Sequence, residues 1–89
     1  MYSILLVDDE RSLRESISEL VHWEENGFEL MGMAENGLDA LQLIEEVGAP
    51  DLLITDIKMP VMDGLELVKR VKQDYPTIKV VFLSGYDEF

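Results

Sequence analysis

Three aspartates are the residues of this chain best suited to chemistry. Asp8 and Asp9 directly follow the apolar run Ile4-Leu5-Leu6-Val7, and Asp56 directly follows Leu52-Leu53-Ile54-Thr55. If the two runs are neighbouring parallel strands, three carboxylates meet at one edge of a sheet. Close like charges repel, and burial disfavours the ionised form of each acid. A bound cation removes that cost, and an all-oxygen cluster suits a hard ion such as Mg²⁺. Two carboxylates and a loop carbonyl, that of Lys58, would leave room in its shell for water and a phosphoryl oxygen. Asp56 is then the natural nucleophile. Its carboxylate can attack a phosphoryl donor to give an acyl phosphate while the ion offsets charge on the oxygens. Ser84, after the fourth apolar run, suits a hydrogen bond to the transferred group or, equally well, a cap.

The elements that must position these groups alternate along the chain. Ser3 to Val7 is a continuous apolar run, the pattern of a strand covered on both faces. Ser12 with Glu15 has capping-box spacing, and Leu13, Ile17, Leu20 and Val21 recur at helical spacing, predicting a helix over about 12–22. Asn26-Gly27 breaks that pattern before a second strand, Phe28 to Ala34. After Asn36-Gly37, a second helix carries Leu38, Leu41, Ile44 and Val47 as its apolar stripe and ends at Gly48-Ala49-Pro50. Asp51 to Thr55 is the third strand. Gly64 opens a third helix with Leu65, Val68 and Val71 inward, and Lys69, Arg70 and Lys72 suit its last turns. Tyr75-Pro76 stops it, and Lys79 to Leu83 is a fourth strand.

This βαβαβαβ order implies an α/β fold of parallel strands joined by right-handed crossovers. Ligands in open sheets of that kind sit beyond the carboxyl ends of the strands. Asp8, Asp9, Asp56 and Ser84 all fall at such ends.

Composition narrows the function classes. At 89 residues and 47% hydrophobic content the chain fits one domain, 1–89, with one core. Twelve acids against two arginines in residues 1–50, and seven acids against five bases in 51–89, leave a net charge of -12. That sign argues against direct nucleic-acid binding, which needs a basic footprint. No cysteine is present, so there is neither a disulfide framework nor a thiolate metal site. The first apolar run is too short for a signal peptide or a membrane span. A soluble, cytoplasmic protein with no membrane contact is expected. Trp23 reads as a lid over the first helix and second strand, and His22 as a surface residue without a metal-spaced partner.

Val7-Asp8-Asp9-Glu10, Thr55-Asp56-Ile57-Lys58-Met59-Pro60-Val61-Met62-Asp63-Gly64 and Phe82-Leu83-Ser84-Gly85-Tyr86 closely resemble the receiver domains of bacterial two-component response regulators. The resemblance spans the chain, and the middle motif is highly specific. It implies a flavodoxin-like parallel sheet of order 2-1-3-4-5, here lacking strand 5. It also implies that Asp56 is the phosphoacceptor for a sensor histidine kinase, that Asp8, Asp9 and Asp56 hold Mg²⁺, and that Ser84 is the switch hydroxyl. Such a module works in phosphorelay signalling and is not an enzyme. His22-Trp23-Glu24-Glu25-Asn26-Gly27-Phe28 and Gly85-Tyr86-Asp87-Glu88-Phe89 further resemble receivers joined to an AraC-type DNA-binding domain, implying transcription regulation by a longer parent.

The sequence also departs from that pattern. The family's lysine after a fifth strand has no counterpart, and Lys58, Lys69, Lys72 and Lys79 cannot take its role. The expectation is a C-terminally incomplete receiver whose fourth strand is an exposed edge, able to form a homo-oligomer by pairing. Two other readings stay open: an excised or self-assembling fragment without signalling activity, and an Asp-nucleophile phosphohydrolase. The hydrolase pattern places a second acid two residues after the nucleophile, where this chain has Lys58. An EF-hand near Gly64 is excluded because acids do not recur at alternate positions after Asp56.

Overall fold

The first strand fixes the architecture, because Ile4 to Val7 are all buried and need cover on both faces and partners on both edges. The computed structural model describes residues 1–83 and supplies both. In chain order its elements are β1 (Tyr2–Val7), α1 (Arg11–Leu20), a single 3-10 turn (Glu24–Asn26), β2 (Phe28–Ala34), α2 (Gly37–Val47), β3 (Leu52–Thr55), α3 (Gly64–Asp74) and β4 (Lys79–Phe82). The strands form one parallel sheet of order β2-β1-β3-β4. This is the flavodoxin-like order expected from the sequence, with β4 at the edge among the described residues.

One face carries the main core. Leu5, Val7, Ala34 and Leu53 from the sheet pack with Ala40 and Ile44 of α2, Leu67 and Val71 of α3, and Ile78. Ile4 and Leu6 alternate to the other face, where they are equally buried. Strand β2 contains a register shift: Ile4 pairs with Leu30 and Leu5 with Gly32, so Met31 is an extra residue. Glycine inside a strand often marks such a bulge. Here it also admits α2, since a Cβ on Gly32 would lie 2.8 Å from Leu43 Cδ2.

Three local expectations are corrected. The Ser12–Glu15 capping box does not form: α1 begins at Arg11, its cap position is Glu10, and no side chain caps it. The reason lies upstream, where Asp8 Oδ1 accepts from the Glu10 N–H at 2.8 Å and turns the chain into the helix one residue early. Glu15 instead meets Arg11 at 3.3 Å. In α2 the buried residues are Gly37, Ala40 and Ile44, whereas Leu38 and Val47 are exposed. In α3 Leu67 and Val71 are buried and Leu65 is exposed. α2 turns Ala40 and Ile44, and α3 turns Leu67 and Val71, into the core beside the sheet.

The helices start as the turn chemistry dictates. Asn36 Oδ1 accepts from the Asp39 N–H at 2.8 Å to cap α2, and Asp63 Oδ1 accepts from the Glu66 N–H at 2.9 Å to cap α3. Trp23 is half-buried beside α1, its indole N–H donating to the Ser18 carbonyl at 3.2 Å. His22 is exposed, with Nδ1 3.8 Å from Glu25. Among the described residues no helix is long and apolar enough to cross a membrane.

Candidate metal and phosphoryl site

The carboxyl ends of β1 and β3 lie side by side because Val7 and Thr55 are register partners. The pairing continues one residue further, with the Asp56 N–H donating to Val7 O at 3.0 Å. On the other side the Asp8 N–H donates to Ala34 O at 3.1 Å. Asp8 and Asp56 are therefore positioned by ladder hydrogen bonds, and Asp9 follows at once. One carboxylate oxygen from each of the three lies within 4.8 Å of the others. The sequence expectation that these acids converge is met.

Their environments differ. Asp8 is 1% exposed, Asp56 half-buried and Asp9 exposed. Burial pushes the Asp8 carboxyl above its ordinary value, the Glu10 N–H opposes this, and the charges of Asp56, Asp9 and Glu10 raise it further. Asp8 Oδ1 has its partner in Glu10, but Oδ2 is buried with no hydrogen-bond donor. Asp56 Oδ1 accepts from its neighbour's backbone, the Ile57 N–H, at 2.8 Å.

These donors fit a hard divalent ion. The orphaned Asp8 oxygen could serve as an inner ligand, and Asp9 and Asp56 could offer two more. Adjacent and opposite oxygens of an octahedral magnesium shell stand about 3 and about 4.2 Å apart. The oxygens of this cluster, all within 4.8 Å of one another, stand close to that spacing.

The loop from Asp56 to α3 is tied down at several points. Thr55, itself buried, donates through Oγ1 to the Asp56 carbonyl at 2.9 Å. The Gly64 N–H donates to Ile57 O at 2.7 Å, and a Cβ on Gly64 would collide with the Asp56 carbonyl oxygen. Only glycine permits that approach. The Met62 N–H donates to Pro60 O at 2.7 Å across Val61, which has φ 67. A β-branched residue in that region is strained. The Met62 carbonyl in turn accepts from the Gly37 N–H at 2.9 Å, linking the loop to the first turn of α2.

Lys58 lies in this loop with its side chain exposed. Ser84 lies outside the described residues, as do Gly85 to Phe89. Leu83, the last described residue, donates its N–H to Thr55 O at 2.9 Å and so runs beside the Asp56 strand end. Sequence reasoning missed Arg14, whose Nη1 donates to the Asp8 carbonyl at 2.6 Å. Its place in the first turn of a helix that follows the acid pair was the available signal, since helical side chains lean toward the N-terminus.

Residues 4–89 match the sequence profile of the response regulator receiver domain. The transcriptional regulatory protein YesN of Bacillus subtilis is 45% identical over the whole of this chain, which covers 24% of that protein. The HptR transcriptional regulatory protein of Staphylococcus aureus is 35% identical over 89 residues, again the whole chain, and 34% of its own length is covered. Among solved structures, the receiver domain of AraT from Geobacillus stearothermophilus superposes with a TM-score of 0.88 at 39% identity, over 99% of this chain and 67% of that one. A two-component transcriptional regulator from Clostridium phytofermentans gives 0.87 at 36% identity, over 99% and 70%. The chain thus spans a quarter to a third of these curated relatives' length. With its sheet order and its carboxylate edge, it belongs to the response regulator receiver domain family.

Proposed function

We propose that this chain is a phospho-accepting module of a two-component system, with Asp56 as the acceptor. The observation that carries the reading is the meeting of Asp8, Asp9 and Asp56 at the carboxyl edge, with a buried, partnerless oxygen on Asp8. Asp8, Asp9, Asp56 and the Lys58 carbonyl would hold Mg²⁺. When bound, the ion supplies charge neutralisation on the phosphoryl oxygens as they pass between donor and acceptor. An Asp56 carboxylate oxygen forms the new bond to phosphorus while the bond to a histidine nitrogen of the sensor kinase breaks. The imidazole leaves with that electron pair and takes up a proton. Asp56 is suited to this because it is half-buried yet reachable, and because the Ile57 N–H fixes one of its oxygens. The Ser84 hydroxyl would then contact the transferred group.

The parent protein's output is a proposal drawn from the relatives, two of which are transcriptional regulators. An AraC-type DNA-binding partner domain is supported by the Clostridium phytofermentans regulator, which is described as AraC, and a cytoplasmic location goes with such a role. The chain's own charge of -12 supports a reading in which any contact with DNA is made by another domain.

Incubation with Mg²⁺ and a small phosphodonor, followed by intact mass measurement, tests the chemistry. The expected result is one phosphoryl increment that disappears in Asp56→Asn and in the presence of a chelator. A folded wild-type chain that never gains the increment, or a variant that still does, overturns it.

A further inference from the structure

Arginines 11 and 14 share the first turns of α1 but do different things. Arg11 is well exposed and pairs with Glu15 on the same helix at 3.3 Å, an arrangement worth little in water. Arg14 is half-buried on a helix that buries no residue fully, and its guanidinium turns back to the strand end. There Nη1 reaches the Asp8 carbonyl at 2.6 Å, a short, charge-assisted hydrogen bond.

That carbonyl needs a partner from outside the sheet. Strand β1 ends at Val7, whose own carbonyl is taken by the Asp56 N–H. The Asp8 N–H is taken by Ala34, and Oδ1 by the Glu10 N–H. The Asp8 carbonyl and the Asp9 N–H belong to one rigid peptide plane. Fixing the carbonyl therefore fixes the direction in which the chain leaves for Asp9, an exposed residue whose carboxylate must still meet those of Asp8 and Asp56. Among the described contacts of Asp8, the bond from Arg14 alone comes from a side chain of another element.

We infer that Arg14 is a positioning residue for the metal site: through the Asp8 carbonyl it orients the Asp8–Asp9 peptide and so preorganises the carboxylates that take Mg²⁺. The inference rests on the magnesium reading above. It carries a sign that separates it from simple electrostatics. A cation beside three carboxylates repels Mg²⁺, so removing it for charge reasons alone tightens binding; removing a positioning group weakens it.

The test is calorimetric Mg²⁺ titration of the wild-type chain, Arg14→Ala and Arg11→Ala, each checked for folding by circular dichroism and urea unfolding. Loss of groups that orient metal ligands costs about tenfold or more in affinity, so Arg14→Ala should bind about tenfold more weakly. Arg11→Ala removes the same charge from the same turn and should not weaken binding. Should Arg14→Ala fail to fold, Arg14→Lys makes the comparison: it keeps the charge but replaces the rigid, planar guanidinium by a flexible ammonium, and should also weaken binding. Unchanged or tighter Mg²⁺ binding in a folded Arg14 variant overturns the inference, as does equal weakening in Arg11→Ala. A wild-type chain that binds no Mg²⁺ overturns the metal reading and this inference together, whereas normal wild-type binding with an indifferent Arg14 variant overturns only the role of Arg14.

Discussion

Replacing Asp8 by asparagine should stabilise the metal-free chain and abolish its response to Mg²⁺. The shape and the Glu10 contact are kept, because the asparagine carbonyl can accept from the same N–H. What changes is charge at a site 1% exposed, next to two other carboxylates within 4.8 Å. At that distance and an effective dielectric of about 20, a pair of unit charges repels by roughly 3 kcal/mol. Exposure of Asp9 screens its share strongly, and half-burial of Asp56 screens the other in part. A gain of about 2 kcal/mol is a reasonable expectation after that discount. For a chain of this size it corresponds to a midpoint rise of about 10 °C. The assay is urea and thermal unfolding at neutral pH, in chelator and then in excess Mg²⁺. Wild type should gain about 2.7 kcal/mol from the ion at a hundredfold excess over its dissociation constant, and the variant almost nothing. A variant less stable than wild type in chelator refutes the account of Asp8 as an uncompensated buried charge. Equal stabilisation of both proteins by Mg²⁺ refutes its role as a ligand.

The same carboxyl sets a pH dependence. Since native Asp8 holds its proton to higher pH than it does in the unfolded chain, stability falls as pH rises from the ordinary aspartate value of about 3.9 to the raised native value. The advantage of Asp8→Asn in chelator should therefore grow through that window and vanish below it, as urea midpoints measured at successive pH values will show. Gly64→Ala should cost more than about 2 kcal/mol and impair phosphorylation, because the new methyl meets the Asp56 backbone; unchanged unfolding and mass increments count against that close approach. Val61→Gly should stabilise by up to about 1 kcal/mol by releasing the strain of positive φ at a residue 77% exposed, and a lower midpoint refutes it. Asn36→Ala should cost about 1 kcal/mol by removing the cap of α2, read as a lower urea midpoint with unchanged slope.

The sheet and its acid edge were legible in the sequence because they depend on short-range signals. A buried central strand must be an unbroken apolar run, and Asp8, Asp9 and Asp56 follow such runs directly. Helix facing was less legible. Counting large apolar residues favoured Leu38, Val47 and Leu65, but the core takes Ala40 and the approach of Met62 takes Gly37, residues that carry little hydrophobic signal of their own. The Ser12 capping box failed for a related reason. Its residues and spacing were right, yet the Asp8 carboxylate reached Glu10 first, and a competing side-chain turn is invisible until the strand end is placed. Val61 gave no warning, since its sequence neighbours impose no positive φ. Arg14 needed the three-dimensional path of the chain, because its partner is a backbone carbonyl six residues away.

Asp8 shows how this edge combines rigidity with stored repulsion. Its N–H, its carbonyl and one carboxylate oxygen are each held by a different part of the molecule, Ala34, Arg14 and Glu10. Only Oδ2 is left, buried and facing no donor. A flexible acid in that position would relieve its charge by swinging into water, and would then have to be ordered again whenever an ion arrived. Held as it is, Asp8 retains the penalty in the metal-free state, visible as a carboxyl displaced upward by burial and by its acidic neighbours. On the proposed magnesium reading, a bound cation would offset that penalty with Asp8 already held in place. The buried core beneath, from Leu5 and Val7 to Leu53, Leu67 and Val71, is what allows so small a domain to carry the frustrated edge and remain folded. On that reading stability and ion affinity at this site oppose each other, and substitutions that quiet the charge should raise one while lowering the other.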